Sequence, residues 1–197
     1  YLNGYTASAP VTTFSVAKSW VSALVGRAVK NGHINSVQDP VTRYCPTLAD
    51  QGFDSVSIRN LLNMRSGISF SENYRNPFST VARFYYGRQL DAYLQDITVE
   101  RPVGDTFIYQ SGNTQLLARV LRQATDTTLT GYLTEQLWRP MGMQHKATWS
   151  TDQPDGTAKA FCCLNARARD FARLGRLYLD EGIWEGDTLL NRSWIRR

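Results

Sequence analysis

The sequence predicts a mainly helical chain with little strand, and three observations carry that expectation. The stretch from Ser15 to about Lys30 is apolar around most of a helical circumference, including Val16, Trp20, Val21, Leu24, Val25 and Val29; such a helix is buried on most sides. Further segments with helical spacing and their own start and stop residues follow through the rest of the chain. Alternating apolar and polar runs long enough for a strand are scarce.

In chain order, Tyr1-Leu2-Asn3-Gly4-Tyr5 reads as the end of a strand, broken by Ala9-Pro10. The Ser15 helix stops at Asn31-Gly32. Asp39-Pro40 and Cys45-Pro46 mark loop-rich connections. Ser57 is placed to cap a short helix carrying Ile58, Leu61 and Leu62, closed by Ser66-Gly67. The aromatic stretch from Phe70 to about Arg88 has no clear period. Leu90–Ile97 fits a short helix, and Arg101-Pro102-Val103-Gly104 a turn. Two helical segments follow at Asn113–Ala124 and Thr128–Trp138, the second ended by Pro140-Met141-Gly142. Asn165 is expected to cap a last helix that runs through Asp180 and stops at Gly182. No internal repeat is visible.

Composition narrows the function classes. A content of 42% hydrophobic and 20% charged residues fits an ordinary globular protein. The longest apolar run, Val21–Val29, is interrupted by Ser22, Gly26 and Arg27, so no transmembrane segment is expected. The chain starts at Tyr1 rather than Met, so the lack of a visible signal peptide says little. The net charge of +5 rests on 18 Arg and 4 Lys. Their best cluster, Arg167, Arg169, Arg173 and Arg176, is spread around a predicted helix and interleaved with Asp170 and Asp180. This pattern fits a solvated surface with local ion pairs, and no nucleic-acid partner is expected. His33 and His145 stand alone, and no metal-ligand spacing is present. Of the three cysteines, Cys45 is free to bridge elsewhere, whereas Cys162 and Cys163 are not expected to bridge to each other, because adjacent residues rarely reach disulfide geometry.

With only His33 and His145, each standing alone, a Ser–His–Asp mechanism has few candidates, and a base must be sought elsewhere. Ser15-Val16-Ala17-Lys18 is an S-x-x-K motif. With 14 Ser and 4 Lys in 197 residues, chance alone gives about 0.3 matches, so its context matters. Ser15 starts a buried helix, where free N–H groups and the helix dipole favour developing negative charge. Lys18 lies one turn later on the same face. A serine hydroxyl becomes a useful nucleophile when a neighbouring base takes its proton. The alternative is a solvated face made of Ser15, Lys18, Ser19 and Ser22, with Ser15 as a plain N-cap. A second element is Tyr109-Gln110-Ser111-Gly112-Asn113, where the tyrosine hydroxyl at a loop-to-helix junction can transfer protons. Its alternative is a core tyrosine followed by an N-cap at Ser111 or Asn113.

Phe14-Ser15-Val16-Ala17-Lys18-Ser19 resembles the nucleophile segment of the serine β-lactamase and penicillin-binding-protein superfamily. It is most similar to class C β-lactamase-like hydrolases of the 6-aminohexanoate-dimer hydrolase-like and carboxylesterase-like branches. Asp39-Pro40-Val41, Leu61–Gly67, Trp138–Met143 and Ala168–Gly175 look like family segments in the family's order. The resemblance therefore covers nearly the whole chain.

This resemblance implies an α/β sheet domain with an all-α insert, of which this chain holds mainly the helical part, the flanking sheet strands being largely absent. Residues 1–35 would be the end of a sheet strand and the nucleophile helix; residues 36–197 would form a helical domain with loop-rich connections. Ser15 would be the nucleophile, Lys18 the base, and Tyr109 the proton-transfer tyrosine. Ser111 and Asn113 would contact a small-molecule amide or ester substrate, with no cofactor. Class C β-lactamases carry Y-x-N, whereas Ser111 stands here at the third position, a form similar to the amidase and esterase branch. The family's third motif, K-T-G or H-x-G, has no counterpart in this sequence, so the strand bearing it and its oxyanion donor are expected outside the chain. The resemblance leaves open a penicillin-recognising peptidase and a non-catalytic acylated sensor. It points towards a periplasmic or secreted setting, with a cytoplasmic one open as well, and gives no oligomeric state.

Overall fold

The computed structural model describes Gly4 and residues 6–196. The body is helical. Helix α1 (Ala17–Lys30) runs through the core with Trp20, Val21, Leu24 and Val25 fully buried. Its long neighbour α5 (Ser111–Thr125) buries Leu116, Leu117, Val120 and Leu121 against it. Shorter helices surround this pair: α2 (Ile58–Leu62), α3 (Thr80–Tyr86), α4 (Leu90–Gln95) and α6 (Leu129–Leu133).

Local signals explain their boundaries. Ser57 accepts a hydrogen bond from the Asn60 backbone N–H while the Asn60 side chain accepts from the Ser57 N–H, a complete capping box for α2. Ser79 caps α3 and Thr128 caps α6 in the same way, each accepting from the N–H three residues on. The expected helix 128–138 is interrupted: after α6 the chain widens into a π turn over Thr134–Trp138.

The sheet corrects two sequence expectations. Strand β1 is Pro10–Thr12, β2 is Thr148–Trp149 and β3 is Leu164–Arg167, arranged antiparallel in the order β1-β3-β2. Pro10, read as a strand breaker, instead begins β1. That strand lies at the sheet edge, where the missing proline N–H costs no ladder bond. Asn165 does not cap a helix. It lies in β3 opposite Thr12 and Thr148, and the last long helix, α7 (Ala168–Leu179), starts after Arg167. The β1–β3 pairing joins Pro10–Thr12 to residues 165–167. The strand expected at Tyr1–Tyr5 falls on Tyr1, Leu2, Asn3 and Tyr5, outside the described residues; Gly4 lies in a turn. A hairpin of β4 (Ile183–Trp184) and β5 (Asp187–Thr188) and the short helix α8 (Arg192–Ile195) complete the chain.

The cysteine expectation is also overturned. Cys162 and Cys163 are joined by a disulfide. The backbone makes room for it: Cys163 adopts a left-handed φ of 65°, unusual for a residue with a side chain. Cys45 remains a buried thiol. Among the described residues, no helix is long and apolar enough to cross a membrane.

Candidate active site

The connection from β1 to α1 delivers Ser15. Thr13 is tied to the sheet by its N–H and its hydroxyl, both donating to the Leu164 carbonyl. Phe14 then turns through a left-handed φ of 45°, and Phe14–Val16 form a single 3-10 turn before α1 begins at Ala17. Ser15 therefore sits on a tight turn two residues ahead of the first residue of α1. A non-glycine residue in the left-handed region carries a backbone cost of about 1–2 kcal/mol, and such outliers collect where side-chain direction matters.

Lys18, in the first turn of α1, reaches back to this point. Its Nζ is 3.1 Å from Ser15 Oγ and donates to the Phe161 carbonyl at 2.8 Å. The same ammonium lies 5.0 Å from the centroid of the Tyr109 ring. Ser15, Lys18 and Tyr109, separated by 94 residues from first to last in sequence, are thus brought together around one amine. Tyr109 is 42% exposed and is not a core tyrosine.

The segment carrying Tyr109 is anchored by Gln110, Ser111 and Asn113. Gln110 Nε2 donates to the Ile68 and Phe70 carbonyls at 3.2 and 2.7 Å. The Ser111 N–H and hydroxyl both donate to the Glu72 carboxylate, at 2.8 and 2.6 Å. Asn113 accepts from the Ser66 hydroxyl and donates to the Gln110 carbonyl. Ser111 and Asn113, expected from the sequence to meet substrate, are both fully buried, and their polar groups are turned to these protein partners. A carboxylate that accepts two bonds at the start of the 15-residue helix α5 is favoured there by the helix dipole.

Sequence inspection missed three contributors. Glu72 also accepts from the Tyr74 hydroxyl at 2.6 Å, yet it lies in the aromatic stretch that had no readable period. Tyr85 packs against Tyr74 and Phe161, with ring centroids 6.1 and 5.1 Å apart. Burial, together with the nearby Glu72 carboxylate, pushes both the Tyr74 and Tyr85 phenols up. The third is the Phe161 carbonyl, a backbone group that no motif would reveal. The signal available for it was indirect: the neighbouring Cys162-Cys163 pair is unusual in so cysteine-poor a chain. Among the described residues no cluster of three or more His, Cys, Asp or Glu is placed to hold a metal ion. Apart from the short turn at its base, the amine at the centre is lined by a hydroxyl, a carbonyl and an aromatic face. Such a setting suits proton exchange with a neighbouring hydroxyl and nucleophilic attack from it.

Comparison with known proteins identifies the fold. The 6-aminohexanoate-dimer hydrolase of Paenarthrobacter ureafaciens is 32% identical over 192 residues, which cover 92% of this chain and 48% of that protein. A solved Bacillus anthracis protein assigned as a 6-aminohexanoate-dimer hydrolase superposes with a TM-score of 0.88 at 26% identity, covering 100% of this chain and 54% of that one. The octameric penicillin-binding protein homologue from Pyrococcus abyssi shares the fold, with a TM-score of 0.75 at 17% identity over 97% of this chain and 48% of that one. The chain thus spans about half the length of the relatives it matches. The family model described as Beta-lactamase matches residues 3–194, so the chain belongs to the Beta-lactamase family and holds a mainly helical portion of its fold.

Proposed function

We propose that this chain carries the nucleophile, base and proton-transfer groups of a serine hydrolase that cleaves an amide or ester through an acyl-enzyme on Ser15. The observation that carries the proposal is Lys18 Nζ at 3.1 Å from Ser15 Oγ, held by the Phe161 carbonyl. In the neutral form, the Lys18 amine takes the Ser15 proton as Oγ attacks the substrate carbonyl carbon. The Tyr109 hydroxyl passes a proton to the departing amine or alcohol, leaving an ester on Ser15. Water then attacks that ester with the same groups taking and returning its proton, and the acid leaves as Ser15 regains its hydrogen.

The Ser15 N–H, on the turn just ahead of α1, is one donor for the developing oxyanion; a second must come from a backbone group placed opposite it. Ser111 and Asn113 enter as supports of the Tyr109 segment, acting through Glu72 and Ser66. Because the serine form Tyr109-Gln110-Ser111 replaces Y-x-N, and because a relative is by its name a 6-aminohexanoate-dimer hydrolase, linear amides and simple esters are the proposed substrates ahead of cephalosporins. A hydrolysis screen of the full-length protein against p-nitrophenyl esters, ω-amino-acid oligomers and cephalosporins tests this. Cephalosporin turnover with kcat/KM well above that for the esters and oligomers overturns the substrate assignment.

A further inference from the structure

The Phe161 carbonyl that holds Lys18 belongs to a short turn whose other restraints can be traced atom by atom. The Cys162 N–H donates to the Lys159 carbonyl at 3.0 Å. The Cys162 carbonyl accepts from the Trp149 indole N–H at 2.7 Å, and the Cys163 carbonyl accepts from the Ser150 N–H at 3.1 Å. Phe161 and Cys162 are fully buried. The turn therefore has one fixed arrangement, and within it Cys163 sits at φ 65°. An L-residue with a side chain is disfavoured there relative to extended or right-handed backbone. The disulfide between Cys162 and Cys163 closes a ring that includes the peptide joining them, and so ties the left-handed residue to its neighbour covalently.

We propose that the Cys162–Cys163 disulfide is a positioning element for Lys18: it holds Cys163 left-handed and thereby keeps the Phe161 carbonyl aimed at the Lys18 amine. This inference rests on Lys18 acting as the base. Its consequence is that turnover depends on the redox state of the pair. A small dithiol supplies two electrons and two protons, the sulfur–sulfur bond breaks to give two thiols, and the dithiol itself becomes a cyclic disulfide. With the ring open, Cys163 is free to relax towards negative φ. That rotation turns the 162–163 peptide away from Trp149 and carries the preceding carbonyl off Lys18. Cys163 is only partly buried and gives the reductant its point of entry, whereas Cys45, at 3% exposure, stays out of reach.

The test uses the full-length protein, oxidised and after dithiothreitol, with thiol content confirmed by alkylation and mass spectrometry. Two readouts are followed: steady-state turnover of a p-nitrophenyl ester, and the rate at which a fluorophosphonate labels Ser15. Reduction is expected to lower kcat and the labelling rate about tenfold with KM within twofold, and reoxidation to restore both. Cys163→Gly supplies a residue at ease with positive φ but no bond. It should keep the oxidised enzyme's rates within about threefold and ignore dithiothreitol, while Cys163→Ala should resemble the reduced enzyme. Thermal unfolding of each form checks that the comparison is between folded proteins, and recovery on reoxidation makes the same check for the wild-type chain. Unchanged rates on reduction overturn the inference, as does finding Cys162 and Cys163 as thiols in the air-oxidised protein. A Cys163→Gly enzyme as slow as the reduced one also overturns it, because the backbone at 163 is then not the route. If the oxidised wild-type protein is not labelled at Ser15 at all, it is the Ser15–Lys18 reading that fails instead.

Discussion

Replacing Tyr109 by Phe separates a proton-transfer role from a packing role, because the structure lets the two effects be sized independently. The ring over the Lys18 amine, 5.0 Å from its centroid, is retained in the variant, so the cation–π contribution of about 0.5–1 kcal/mol at an exposed site largely survives. The hydroxyl is removed from a residue that is 42% exposed, and surface changes of this kind shift stability within about 0.5 kcal/mol. Loss of a positioned proton-transfer group costs about 10²–10⁴ in rate, equivalent to about 2.7–5.5 kcal/mol of barrier. The catalytic effect thus exceeds the structural one several-fold. Steady-state kinetics on a p-nitrophenyl ester, paired with urea unfolding, reads both. The expected result is a kcat lowered at least 100-fold with an unchanged urea midpoint. Normal turnover with a lowered midpoint would refute the reasoning and make Tyr109 a structural residue.

Further outcomes follow from particular contacts. Ser57→Ala removes the acceptor of the α2 capping box and should cost about 1 kcal/mol, seen as a lower urea midpoint with the same m-value. Gly67 has φ 73°, and a methyl placed there would run into the Arg101 carbonyl; Gly67→Ala should therefore destabilise by more than about 1 kcal/mol, and a neutral result would show that this turn yields. Burial pushes the Cys45 thiol up to about 11, so it should resist iodoacetamide at pH 8 until the protein unfolds. Because its folded pKa lies above the unfolded value, its contribution to stability is complete below about pH 9 and is lost as pH rises towards 11, at no more than about 1.4 kcal/mol per pH unit. A folded-state thiol that alkylates readily at pH 8 contradicts that placement.

How far the sequence could be read depended on the length of each signal. The α1 helix was legible because nine apolar positions between Val16 and Val29 surround it, and α2 because Ser57 precedes an apolar helical triad. The motif at Ser15 and Lys18 was legible because a helix turn fixes their separation. Strands β1, β2 and β3 span 3, 2 and 4 residues, too few to show a period of two, so in the sequence Pro10 reads as a breaker and Asn165 as a cap. Ser111 and Asn113 were recognisable by spacing but not by direction: helix α5 begins at Ser111 itself, which turns both inward. Glu72 and the Phe161 carbonyl reach the site only through tertiary packing, from positions 37 and 52 residues away from Tyr109 along the chain. The Cys162–Cys163 bond depends on a left-handed backbone at Cys163, which no side-chain pattern announces.

The central claim is that Ser15 is acylated with Lys18 as its base, and covalent labelling of the full-length protein tests it most directly. A fluorophosphonate should modify a single serine, and peptide mapping should place the adduct on Ser15. Ser15→Ala should abolish labelling, and Lys18→Ala should slow it at least 100-fold while the protein remains folded. Labelling that persists unchanged in Ser15→Ala, or that maps to another serine in the wild-type protein, contradicts the account.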